Sequence, residues 1–83
     1  MYYLYILESL NTARKYIGIS EEIEKRLKQH NQNRVRSTKA YSPWKIVYTE
    51  RYNSKRESRQ RELELKNNSW KRNQLFESIF HQR

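Results

Sequence analysis

The N-terminal run Tyr2-Tyr3-Leu4-Tyr5-Ile6-Leu7-Glu8 leaves this chain few options. It alternates, is rich in Tyr, Leu and Ile, and predicts a strand. Strand geometry sends Tyr2, Leu4 and Ile6 to one face and Tyr3, Tyr5 and Leu7 to the other. Ser9 to Arg14 is polar and predicts a turn. Lys15 to Ile19 predicts a second short strand, hairpin-paired with the first. Gly18 is the only glycine in the chain and lies at the end of that strand. A lone glycine there implies a positive φ or a close backbone approach.

The remaining elements follow in order. Ser20 is placed to cap a helix over 21–31, with Glu21 and Glu22 in its first turn. Ile23 and Leu27, four apart, form its buried stripe. Residues 31–43 read as an irregular basic loop. Pro43 precedes a third strand, Trp44 to Arg51, in which Ile46 and Tyr48 should share Trp44's face. Ser54 and Glu57 make a capping box that opens a helix to about Lys66. Asn67-Asn68-Ser69 should break it. A last helix, about 70–80, carries Trp70, Leu75, Phe76, Ile79 and Phe80 at helical spacing. The expected order is β-β-α-β-α-α, an α/β (α+β) domain over residues 1–83 with no internal repeat.

Length and composition narrow the function. A chain of 83 residues is expected to form one domain. So small a domain buries only about 60% of its unfolded surface. Apolar content is 35% and charged content 33%, but seven Tyr, two Trp and two Phe can fill a small core with few side chains. Net charge is +9, and all nine acids are Glu. This balance points to a polyanion, nucleic acid before an anionic membrane. The absence of Cys excludes disulfides, Cys-based zinc sites and thiol nucleophiles. With only His30 and His81, an all-protein zinc site is not expected. No run approaches the ~20 apolar residues of a membrane span. The N-terminus lacks a basic region, and Glu8 cuts the apolar run short, so no signal peptide is expected. A cytoplasmic location is the resulting expectation.

Several residues are suited to phosphate chemistry. Arg26 and His30 are four apart and share a helix face beside the Ile23/Leu27 stripe. An arginine there can fork onto phosphate oxygens, or pair with Glu22 on the surface. His30 can be a structural histidine or a proton carrier. Glu62 falls near Ser58 and Leu65 on the inward face of a very polar helix. A buried carboxylate needs a partner or a metal. Its partner can be Arg59, Arg61 or Lys66, and on spacing alone that alternative stands level with the metal. Glu57 is explained by its capping box. Glu21, Glu22 and Glu24 have Lys25, Arg26 and Lys28 four residues on. Tyrosines favour strands by default, and a phenol with a pKa near ~10 is a poor base unless cations lower it. Arg34, Arg36, Lys39 and Tyr41 make a basic loop patch suited to phosphate contact and base stacking, or simply a solvated loop.

Taken together, these residues resemble the GIY-YIG endonuclease superfamily, and in particular its small stand-alone bacterial members. The first motif strand reads Tyr3-Leu4-Tyr5, the second Tyr16-Ile17-Gly18. The segment from Ile23 to Asn31 resembles the family's helix in which a histidine follows an arginine. Ser37-Thr38-Lys39 and Pro43-Trp44-Lys45 resemble the stretch before its third strand. Arg61-Glu62-Leu63-Glu64-Leu65-Lys66 resembles its glutamate helix. The resemblance covers about residues 2–66.

The resemblance implies a three-stranded antiparallel sheet flanked by helices. It implies phosphodiester hydrolysis with one divalent metal, Mg²⁺ or Mn²⁺, and no small-molecule cofactor. By this likeness Glu62 would hold the metal, and Tyr5 and Tyr16 would position or deprotonate the attacking water. Arg26 would hold the scissile phosphate, and His30 would assist as a proton carrier. Three departures stand out. Tyr3 replaces the glycine of the first motif. Ile19 follows Gly18 where some relatives carry a lysine. Asn73 is the nearest match to a late family asparagine. A metal-dependent nuclease acting on DNA is the leading expectation. A binding module or an RNA-directed nuclease using the same face is the alternative, and an intact Tyr5, Tyr16, Arg26 and Glu62 set favours the enzyme.

Overall fold

The structure is a computed structural model that describes residues 1–81. Strand β1 (Tyr2–Ser9) and strand β2 (Lys15–Ser20) form the expected hairpin. Helix α1 (Ile23–Asn31) follows, then a 3₁₀ turn at Lys39–Tyr41. Strand β3 (Trp44–Tyr52) leads to helices α2 (Lys55–Asn67) and α3 (Ser69–Phe80). The sheet order is β2-β1-β3, antiparallel throughout, so β1 is central.

A central strand has both faces covered, and β1 serves two cores. Leu4 and Ile6 pack with Ile17 and Leu65 on the side of α2 and α3, where Leu75, Phe76 and Ile79 close the layer. Tyr5 and Leu7 pack with Trp44 on the side of α1, where Ile23 and Leu27 close it. The alternation in β1 therefore holds along the strand.

β3 departs from simple alternation. Ile6 pairs with Tyr48 and Leu7 with Ile46, which leaves Val47 as an extra residue in a bulge. The bulge re-phases the strand. Trp44 and Ile46 face α1, whereas Tyr48 and Tyr52 pack against the opposite core. Tyr48 thus does not share Trp44's face as its spacing predicts. The re-phasing brings Glu50 under Arg61 of α2, in a two-armed contact of 2.9 and 3.1 Å. Tyr48 and Tyr52 donate their hydroxyls to the same carboxylate at 2.6 and 2.7 Å.

α1 starts two residues later than the capping pattern predicts. Ser20 is still paired with Tyr3 in the sheet, and its hydroxyl accepts from the Glu22 N–H at 3.0 Å, forming a turn. The helix ends sharply. Asn33 has φ 62°, its N–H donates to the His30 carbonyl, and the Arg34 N–H donates to the Gln29 carbonyl. This is a left-handed cap closed by an Asn. The Asn31 amide then grips both backbone groups of Trp44, at 2.6 and 3.0 Å. Residues 32–43 are thereby held as a closed segment between α1 and β3.

Ser54 caps α2 through the Glu57 N–H, as its sequence predicts, and α2 buries Ser58, Glu62 and Leu65. The break between α2 and α3 is a single residue. The Asn68 N–H ends one helix on the Glu64 carbonyl, and its side chain starts the next on the Lys71 N–H. Trp70, expected on the inward stripe of α3, is 68% exposed instead. It lies in the first turn of that helix, ahead of the residues that reach the core. Among the described residues no helix is long and apolar enough to cross a membrane.

Candidate active site

Tyr5 and Gly18 are direct partners across the β1–β2 ladder. A Cβ on Gly18 would sit 2.6 Å from the Tyr5 hydroxyl oxygen and 2.7 Å from the ring carbon bearing it. Gly18 does not have a positive φ. Of the two reasons for a lone glycine, close approach is therefore the operative one. The missing side chain lets the Tyr5 ring lie flat across β2 and reach α1.

On α1 it meets His30. The Tyr5 hydroxyl and His30 Nε2 are 3.0 Å apart, and both residues are essentially buried. His30 Nδ1 lies 2.8 Å from the Thr38 hydroxyl, which donates to the Val35 carbonyl. Trp44 Nε1 donates to the Thr38 carbonyl at 3.0 Å and fixes that turn against β3. The Tyr16 ring completes the group, 4.8 Å from the His30 ring and 6.2 Å from that of Tyr5.

Burial sets the protonation states. It pushes the Tyr5 phenol up to about 12, helped by neighbouring Tyr16 and by the Glu62 charge; Arg26 pulls the other way but loses. The nearby cation therefore does not turn the Tyr5 phenol into a base. Burial, and then the Arg26 charge, pull His30 down to about 4. At neutral pH the pair is a phenol and a neutral imidazole.

Arg26 is half-buried, and its guanidinium donates to Gln29 at 2.9 Å rather than to Glu22. Glu22 instead approaches Lys25 at 3.7 Å. Glu62 is 5% exposed. Arg59 holds one carboxylate oxygen and Lys66 the other, the latter at 3.1 Å. Two of its three possible partners are thus in place, and Arg61 belongs to Glu50 and Glu64. The Lys66 ammonium also lies 5.8 Å above the Tyr16 ring, which ties α2 to β2.

Five expected residues therefore gather from four elements: Tyr5, Tyr16, Arg26, His30 and Glu62. Tyr3 is half-buried in β1, paired with Ser20 and Arg51. Arg34, Arg36 and Lys39 are exposed on the loop segment. Tyr41 is half-buried against the Tyr5/Leu7/Trp44 core, with the Arg14 guanidinium 4.7 Å over its ring, so packing already uses it. Asn73 is exposed on α3, and no contact among the described residues joins it to the group. A cleft of about 520 Å³ opens beside Tyr16, lined also by Arg14, Lys15, Lys66, Arg72 and Phe76. All its charged residues are basic. Its cations are the adjacent Arg14 and Lys15 at the start of β2, Lys66 of α2 and Arg72 of α3.

The model of the GIY-YIG catalytic domain matches residues 1–75. The chain belongs to the GIY-YIG family. This is a nuclease family. The GIY-YIG chain is 37% identical over 76 residues to a UPF0213 protein of Bacillus licheniformis, covering 90% of this chain and 77% of that one. It is 37% identical over 67 residues to a UPF0213 protein of Clostridium perfringens, covering 80% of this chain and 71% of that one. A solution NMR structure of a UPF0213 protein from Bacillus halodurans superposes with a TM-score of 0.56 at 28% identity, covering 95% of this chain and 84% of that one. The three-stranded antiparallel sheet with three helices is the GIY-YIG architecture.

Proposed function

We propose that this protein is a divalent-metal-dependent endonuclease that hydrolyses phosphodiester bonds in DNA. The observation that carries this reading is the convergence of Tyr5, Tyr16, Arg26, His30 and Glu62 at one place, in a chain of net charge +9. Family membership supports the nuclease class.

Among the described residues no group of three or more His, Cys, Asp or Glu could cage a metal. Mg²⁺ does not require a cage, because it keeps most of its waters and binds through one or two carboxylates plus substrate oxygens. Glu62 fits that mode: an ionised carboxylate offers about four acceptor positions, and Arg59 and Lys66 take two. Glu62 would therefore hold Mg²⁺ or Mn²⁺. The ion would act there as a Lewis acid on the phosphate.

The protein's own groups do the rest. Arg26 forks onto the scissile phosphate and stabilises the charge that develops on its oxygens. Tyr5 acts as a phenol, so its role is to position the attacking water and not to wait as a phenolate. His30 is neutral and able to accept a proton behind it. Tyr16 borders the basic cleft and steers the strand past Tyr5. Arg34, Arg36 and Lys39 contact flanking phosphates, which gives register without sequence preference.

One observation favours a second reading. Glu62 is already neutralised by Arg59 and Lys66, as a purely structural carboxylate would be. A binding module that does not cut would look the same at this position. Labelled single-stranded, duplex and branched DNA and RNA, offered with Mg²⁺, Mn²⁺ or chelator, separate the two. The enzyme cuts DNA only with metal, and Glu62→Gln abolishes cutting while binding survives. Binding without cutting on every substrate establishes the module. Cutting of RNA alone replaces the substrate class.

A further inference from the structure

The hydrogen-bonded line from Tyr5 to Val35 has a direction. The Tyr5 hydroxyl is buried with its ring, so its proton needs an acceptor inside the protein. The hydrogen-bond partner of that hydroxyl is His30 Nε2, at 3.0 Å. For Nε2 to accept, the neutral ring must carry its proton on Nδ1. Nδ1–H then donates to the Thr38 oxygen at 2.8 Å. The Thr38 hydroxyl passes its own hydrogen to the Val35 carbonyl at 3.3 Å. Every donor has an acceptor in this polarity, and among the described residues no buried side-chain nitrogen or oxygen lacks a partner. In the reverse polarity the Tyr5 oxygen receives from His30 and the Tyr5 proton is left without an acceptor in the core, while the Val35 carbonyl keeps its two backbone donors, the N–H groups of Thr38 and Lys39.

We infer that Thr38 is a positioning residue that fixes the Nδ1–H tautomer of His30, so that Tyr5 donates inward and turns its oxygen lone pairs outward to the attacking water. This rests on the nuclease reading above for its consequence, though not for its geometry. The balance of the step is simple. The water's proton goes to the Tyr5 oxygen as its lone pair attacks phosphorus. The Tyr5 proton moves to His30 Nε2, leaving a neutral phenol and an imidazolium. The imidazolium keeps its Nδ1–H on Thr38, and the leaving oxygen takes a proton from solvent. The reverse tautomer cannot take that proton, because Nε2 already holds one.

Thr38 suits the role because its own backbone is immobilised. Its N–H bonds the Val35 carbonyl, its carbonyl receives Trp44 Nε1, and the residue is 1% exposed. The hydroxyl therefore cannot swing away from His30.

The test is the ¹⁵N signature of the His30 ring in the full chain at neutral pH, read beside cleavage. The wild type should show Nδ1 protonated and Nε2 bare. Thr38→Val keeps the shape but removes the acceptor, and it should move population to Nε2–H. Its kcat should fall by about 10²-fold, the scale of a positioned proton acceptor, with KM unchanged. Thr38→Ser restores the hydroxyl, and it should restore both the tautomer and most of kcat. A wild-type ring protonated on Nε2 overturns the inference, and this needs no variant to fold. So does a Thr38→Val protein that loses activity with the tautomer unchanged. If no substrate is cut under any condition, the nuclease reading fails, while the ring signature still decides the role of Thr38.

Discussion

The two faces of the central strand are closed by different physics. Leu4 and Ile6 on one side meet Ile17 and Leu65, aliphatic groups whose attraction has no direction. Tyr5 on the other side meets His30, Thr38 and Trp44, each buried and each bearing a polar atom matched to a neighbour. Polar groups occur on the α2 side too, but they are matched within α2 or at the rim: Ser58 donates to the Lys55 carbonyl, Glu62 is held by Arg59 and Lys66, and Glu50 and Arg61 sit half-buried at the edge. The difference teaches a division of labour in a very small domain. The aliphatic face holds the chain together. The hydrogen-bonded face holds a few atoms at fixed separations, at little gain in stability, because each of its bonds replaces one to water.

That division can be broken by mutation. The largest effect on chemistry is expected at Arg26, half-buried on α1 and close enough to act electrostatically on Tyr5 and His30. Arg26→Ala should slow cleavage by about 10²–10³-fold with binding and fold retained. Arg26→Lys should recover little, since an ammonium lacks the fork. A wild-type rate in Arg26→Ala would reduce Arg26 to a structural partner of Gln29, and a wild-type rate in Arg26→Lys would show that charge without the fork suffices.

Leu65→Ala and Tyr5→Phe form the sharpest contrast, one substitution on each face. Leu65→Ala should lower unfolding free energy by about 2–5 kcal/mol in a urea titration. The molecules that remain folded should cut normally. Tyr5→Phe removes one hydroxyl and leaves the His30 Nε2 without its donor, at a cost of about 1–3 kcal/mol. Its cleavage should drop far more than its stability. Equal losses of activity in the two would mean that the faces are not separable.

The smallest effect is a slope. The folded state holds His30 at about 4, below its ordinary 6.5, so the unfolded chain binds a proton the folded one refuses. Its contribution is complete above about 6.5 and is lost as pH falls toward about 4. The carboxyls of Glu50 and Glu64 are held below their ordinary 4.5, so their losses come at lower pH. Melting temperature should therefore decline across that interval, and His30→Gln should flatten the decline whatever it does to the absolute value.

Local periodicity made much of this molecule legible. Alternation in residues 2–8 gave both faces of β1, and helical spacing placed Ser58, Glu62 and Leu65 inward. The order of elements followed from caps and turns. What escaped was tertiary. Thr38 lies in a basic loop where a hydroxyl reads as a turn residue, and only the fold carries it under His30. The sequence offers Arg59, Arg61 and Lys66 to Glu62 alike, and only packing selects Arg59 and Lys66. Tyr41 and Trp70 exchanged expectations, the supposed stacking ring packing inward and the supposed core ring facing out. Composition is blind to both, because aromatics suit either place.

The bulge at Val47 has a consequence for how this domain can change over evolutionary time. It makes β3 two half-strands with opposite allegiances, joined by a residue that packs against the Leu4/Ile6 core and whose presence sets the register. Replacing Val47 by another β-former is a minor edit. Deleting it would carry Glu50 and Tyr52 away from Arg61 and into the neighbourhood of the Tyr5 core, while leaving composition and hydropathy almost untouched. Part of the fold is thus encoded as a count. Lineages should exchange apolar letters at this position and resist any change in the length of the strand.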